Sequence, residues 1–154
     1  MKRVLLPLLL ALCLMLTGCG GSTQAAAYTD DAIIARKGDW YTMNDWQHNL
    51  SDNTLKCSMK GSTGTLTVWS LEAKADTHVS IDCTLTVTSG RAKLAHIAPD
   101  GTVTTLLEVS PDSTVSTSTL RFTALPGDNR VKLVMAESTS LDMTLCFDQG
   151  TLRN

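Results

Sequence analysis

The sequence predicts an all-β domain, a single antiparallel β-sandwich, with one short helix ahead of it. Three observations carry that expectation. From about Leu55 onward apolar residues recur at every second position, the period of a half-buried strand. Turn-forming residues interrupt these runs at short intervals. Of the 22 threonines, 21 lie beyond residue 18, and their branched Cβ suits the solvent face of a strand better than a helix.

The first residues read as an export signal. Met1-Lys2-Arg3 is basic, and Val4 to Leu16 is a thirteen-residue run, apolar except at Pro7. A permanent membrane span needs about 20 residues, so the run fits the apolar stretch of a secretory signal. Leu16-Thr17-Gly18-Cys19 follows, and here the chain resembles bacterial lipoproteins. The resemblance implies cleavage before Cys19, lipid on its thiol, and a protein anchored in a membrane on the extracytoplasmic face. The alternative is an ordinary signal cut at another small residue, with a chance cysteine. On the lipoprotein reading, residues 1–18 are a signal peptide, 19–30 a lipidated cysteine and flexible tether, and 31–154 the sandwich. Removal of Lys2 and Arg3 leaves 11 basic and 15 acidic residues, a net charge of −4.

The elements follow in order. Thr29 to Gly38 is expected to be one short helix: Thr29 as N-cap, two acids in the first turn, two bases in the last, and Gly38 as stop. An opening strand is the alternative. Strands are expected over 53–60, 65–72, 77–88, 92–98, 102–108, 115–123, 130–136 and 140–148. The clearest has Val79, Ile81, Cys83, Leu85 and Val87 alternating with polar residues. Leu141, Met143, Leu145 and Phe147 alternate equally well, and Val131, Leu133 and Met135 less cleanly because of Val134. Gly61–Gly64, Ser89-Gly90, Pro99-Asp100-Gly101, Pro111-Asp112 and Pro126-Gly127-Asp128-Asn129 supply turns.

The stretch Leu125-Pro126-Gly127-Asp128-Asn129-Arg130-Val131-Lys132-Leu133 resembles the L-x-x-G-x-N-x-I-x-L run of galactose-binding-like jelly-roll domains. Many carbohydrate-binding modules have that fold. The resemblance implies a jelly-roll-like sandwich, with Asp142 at the place of an aspartate in the following strand. The chain departs from such modules in lacking an aromatic cluster near its end. Gly38-Asp39-Trp40 is similar to the glycine-x-tryptophan that opens lipocalin-like barrels, which makes a lipocalin-like β-barrel the alternative fold.

Composition and motifs narrow the function. A net charge of −2 leaves no basic surplus to neutralise phosphates, so nucleic acid is not an expected partner. His48, His78 and His96 are far apart, and no zinc-hydrolase helix, serine elbow or phosphate loop occurs. No catalytic residue or cofactor is expected and no metal-ligand set stands out; the alternative is a structural calcium held by turn aspartates, as jelly-roll domains often carry. Cys57 and Cys83 point to apolar faces and Cys146 to a polar one. If any pair bridges it is Cys57–Cys83; the alternative is two buried thiols acting as small hydrophobes. Four of the seven aromatics crowd between Tyr28 and Trp46. Trp40, Tyr41 and Trp46, with His48 beside them in a loop, are the candidate ligand-binding residues. The competing reading has Trp40 and Trp46 capping one end of the core. The expected function is that of a cell-surface lipoprotein with a non-catalytic module binding glycan or a partner protein. The alternative is an accessory subunit of an envelope complex with no small ligand.

Overall fold

The computed structural model describes residues 26–113 and 116–153, the side chain of Ser116 excepted. The signal segment and Cys19 lie outside the described residues. The order is α1 (Asp31–Ile34), β1 (Trp40–Thr42), β2 (Asp45–Ser51), β3 (Thr54–Ala73), β4 (Thr77–Ile97), β5 (Val103–Val109), β6 (Ser116–Ala124), β7 (Gly127–Phe147) and β8 (Thr151–Leu152). The fold is all-β and every strand pair is antiparallel.

Three long strands, in the order β3-β7-β4, form the centre. Each carries an irregularity near its middle. The register shifts between Met59 and Gly64 on β3 and between Val87 and Arg91 on β4. Gly61, Gly90, Glu137 and Ser138 have positive φ there. Bulges of this kind bend a strand. They split the sheet into two layers. Layer 1 is β2, β3 to residue 60, β7 from 139, β4 to 89, and β6. Layer 2 is β1 and β8, the rest of β3, β7 and β4, and β5.

Ring contacts show that the layers face each other. Phe147 lies level with the start of β3, yet its ring stacks on Trp69 at 5.2 Å. Fifteen residues of straight strand would separate those levels by roughly 50 Å. Phe122 of layer 1 likewise meets Trp69 edge-on at 5.6 Å and His96 at 4.3 Å. The result is an open sandwich with shared strands. The edge strands β2 and β6, and β1 and β5, do not pair, so the lipocalin-like barrel is overturned. At the bend, a Cβ on Gly90 would sit 2.5 Å from the Ala136 carbonyl oxygen, so only glycine lets β4 and β7 cross there.

Two apolar clusters hold the domain. The larger lies between the layers and joins Leu55, Met59, Ile81, Leu85, Leu145 and Phe147 to Trp69, Leu94, Val131 and Leu133. The smaller lies on the outer face of layer 2, where Tyr28 and Ile34 cover Ala95, Ile97, Val134 and Ala136. Residues 92–98 and 131–136 are buried without a break, as strands covered on both faces are, although Lys93, His96 and Lys132 interrupt their apolar sequence.

Several expectations are corrected. Ala27 and Tyr28, read as tether, are packed into the domain, and the Tyr28 hydroxyl donates to Glu108 at 2.8 Å. The helix is only four residues long, and Asp30 caps it rather than Thr29, accepting from the Ala32 and Ile33 amides. Strands expected as pairs over 53–60 and 65–72, 77–88 and 92–98, and 130–136 and 140–148 are single bent strands. Residues 40–51, expected to include a loop around His48, form β1 and β2. Cys57 and Cys83 are free. Strand β7 lies between theirs, which sets their backbones about 9–10 Å apart, beyond the reach of a disulfide. Burial pushes the Cys57 thiol up to about 12 and the Cys83 thiol to about 11, so both stay protonated.

The Leu125–Leu133 motif has a visible purpose. Asn129 is fully buried, and its amide nitrogen donates to the carbonyls of Leu125 and Gly127 at 2.6 and 2.9 Å. Its Oδ1 accepts from the Leu125 amide and faces His96 Nε2 at 3.1 Å. With both amide hydrogens of Asn129 committed, His96 must donate through Nε2. Burial holds the His96 pKa below its ordinary value, against the Asn129 bond, so the ring is a neutral structural donor.

Candidate functional site

The outer faces of the two layers differ. That of layer 2 is covered by residues 26–39. That of layer 1 is open and polar, because it displays the polar members of five alternating strands. Register aligns them in rows. One row runs Gln47, Ser58, Asp142, Thr86; the next runs Asn49, Lys56, Thr144, Thr84, Thr117. Both rows, as far as Thr86 and Thr84, line a groove of about 450 Å³ that His48 borders at the β2 edge.

The groove has unspent hydrogen-bonding capacity. Thr84 and Thr117 share a contact at 3.4 Å, and Thr119 donates to Asp82 at 2.7 Å on the next row. The side chains of Gln47, Asn49, Lys56, Ser58, Asp142 and Thr144 make no hydrogen bond among the described residues. They offer two amides, two hydroxyls, an ammonium and a carboxylate to solvent or to a ligand. Asp142 also helps to raise the pKa of the Cys57 thiol, second to burial. No group of three or more histidine, cysteine or acidic residues placed to hold a metal occurs among the described residues.

The four sequence-derived candidates do not share one surface. Trp40 and Tyr41 are both exposed, at 46% and 45%, but they are consecutive in β1 and point to opposite sides. Trp46 is half-buried against the core between the layers, opposite Met59. His48 is exposed, and its ring lies 5.1 Å from that of Trp46. The structure therefore joins Trp46 to His48 and leaves Trp40 and Tyr41 apart. Of the two readings of the tryptophans, Trp46 matches the core cap and Trp40 does not.

The groove residues went unnoticed because each looks like an ordinary solvent-facing strand residue. Only their shared register, from four strands in non-sequential order, makes a site. Asp142 was singled out, though by the resemblance rather than by the groove.

No family model matches the chain, and no curated protein sequence matches it. Among solved structures it is similar to a family 29 carbohydrate-binding module complexed with mannohexaose, at 12% identity over 71% of this chain and 79% of that one, TM-score 0.43. It is also similar to the N-terminal cellulose-binding domain of β-1,4-glucanase C from Cellulomonas fimi, at 14% identity over 74% and 90%, TM-score 0.41. A third is the C-terminal family 6 carbohydrate-binding module of LamC, a laminarinase from Zobellia galactanivorans, at 11% identity over 71% and 99%, TM-score 0.29.

Proposed function

We propose that the protein is a non-catalytic binding module that holds a glycan in the groove of layer 1, moored to the outer face of a membrane by lipid on Cys19. The observation that carries the binding half is the unspent polar lining of that groove. Amides, hydroxyls and a carboxylate in fixed rows can exchange hydrogen bonds with the hydroxyls of a sugar chain, and a β-sheet floor holds them without further ordering. The open shape of the trough suits a chain lying across the strands.

The test is a glycan array probed with the soluble 20–154 fragment, followed by titration of any hit. Asp142→Ala and Thr144→Val are each expected to weaken binding about tenfold, the worth of one good polar contact. Both positions lie on the outer face, so the melting temperature should hold. Silence across the array, or hits indifferent to both substitutions, would end the glycan reading. Weight would then pass to a protein partner at the β1–β2 edge, where Trp40, Tyr41 and Leu50 are exposed.

The anchor has its own test. Cells expressing the full chain should incorporate labelled palmitate into it, and Cys19→Ala should abolish that label. Two or more fatty chains on one cysteine hold a protein firmly, at about 0.8 kcal/mol per buried methylene. Label persisting in Cys19→Ala would remove the anchor from the proposal.

A further inference from the structure

A second pocket lies on the opposite outer face, where residues 37–39 cross layer 2. It measures about 340 Å³ and is lined by Lys37, Asp39, Thr67, Ser70, Asp128, Arg130 and Arg153. Its charge runs against that of the protein. Three cationic side chains meet two carboxylates, and both carboxylates are already engaged: Asp39 by the buried Lys132 at 3.2 Å and by the Thr67 hydroxyl at 2.7 Å, and one oxygen of Asp128 by Arg130 Nε at 3.6 Å. With Lys132 counted, four cations face two anions, in a chain whose net charge is −2.

The cations are held in place rather than loosely displayed. Arg130 Nη1 and Nη2 donate to the carbonyls of Arg36 and Ala35 at 2.8 and 3.0 Å, which fixes its charge in the pocket wall. Arg153 Nε donates to Ser70 Oγ at 2.9 Å, which sets the plane of its guanidinium. Its two Nη groups have no hydrogen-bond partner among the described residues, and Lys37 makes no ion pair among them. Ser70 is buried, accepts from Arg153, and keeps its own hydroxyl hydrogen free to donate. Two parallel N–H groups of a guanidinium match the two oxygens of a carboxylate or sulfate.

We propose that this pocket binds a small acidic sugar through its oxyanion, with the Arg153 fork and the Lys37 ammonium on the anion. Ser70 donates to it, and the exposed carboxylate of Asp128 accepts from the sugar's hydroxyls. A volume of about 340 Å³ suits a single sugar ring rather than a bare ion. The oxyanion chemistry is shared by uronic acids and sugar sulfate esters. This site is independent of the layer 1 groove.

The experiment is calorimetric titration of the full-length protein, purified in detergent, with glucuronate, glucose 6-sulfate and glucose. At least one acid should bind, glucose should not, and affinity should fall as salt rises. Which acid binds identifies carboxylate or sulfate ester as the source. Arg153→Gln should weaken the bound acid about tenfold and Lys37→Gln by less, both at unchanged melting temperature, while Asp142→Ala leaves it untouched. The proposal is overturned if neither acid binds, if glucose binds as well as they do, or if both variants bind like the parent.

Discussion

Replacing Trp69 by alanine is expected to cost about 3–5 kcal/mol and to lower the melting temperature by roughly 10 °C or more. The indole is fully buried. It stacks on Phe147, meets Phe122 edge-on, and donates from Nε1 to the Gln149 carbonyl at 2.7 Å. Those partners all belong to layer 1 or to the turn that leaves it, so the residue seals the end of the sandwich where the layers have no bend to join them. The turn leans on the ring as well, since a Cβ on Gly150 would fall 2.1 Å from the indole nitrogen. Trp69→Phe should cost about half as much, keeping an aromatic face and losing the donor. Urea titration reads both values. A loss under about 1 kcal/mol for Trp69→Ala would mean that the layers do not meet at that end.

Lys132→Met is the second large effect, at about 3 kcal/mol. The lysine side chain is fully buried, and its ammonium places three donors on three acceptors: the carbonyls of Arg36 and Gly38 at 2.8 and 2.9 Å and Asp39 Oδ1 at 3.2 Å. Burial lowers its pKa and Asp39 opposes that shift. Methionine keeps most of the volume, so the loss isolates the polar role. Removing one partner of a buried pair costs about 3–5 kcal/mol, and the lower end applies because Asp39 retains some contact with water. Lys132→Met with Asp39→Asn should recover part of the loss. Hydrogen exchange should quicken first in residues 26–39, which Lys132 pins to layer 2. Unchanged exchange there would show that Tyr28 and Ile34 hold the segment without it.

Lys132 also shows where the sequence stopped being readable. Alternation places it on the polar side of its strand, and that geometry is correct. What alternation cannot report is that another segment covers that side. The trace it left was Val134, an apolar residue out of phase, and on β4 the pair Ala95 and Ile97, out of phase with Ala92 and Leu94. Both mark a strand buried twice. The bends were hidden for a related reason. Gly61, Gly64 and Gly90 have the positive φ that either a hairpin turn or a bulge requires, and composition alone does not separate the two. The strand faces themselves were legible, as the Val79–Val87 and Leu141–Phe147 series show, because burial on one side enforces a period of two. The crowding of aromatics between Tyr28 and Trp46 was legible too but misleading. Neighbours in a strand part to opposite faces, and Tyr28 lies under layer 2 instead.

The central place of β7 bears on how this chain acquires its shape. The strand lies between β3 and β4 along its whole length, yet it follows both of them in the chain, with β5 and β6 in between. Until it docks, β3 and β4 can pair only with their outer neighbours β1, β2, β5 and β6, and contacts spanning so much chain form slowly. Such a polypeptide assembles its local hairpins first and joins them into one body only when β7 slots between them.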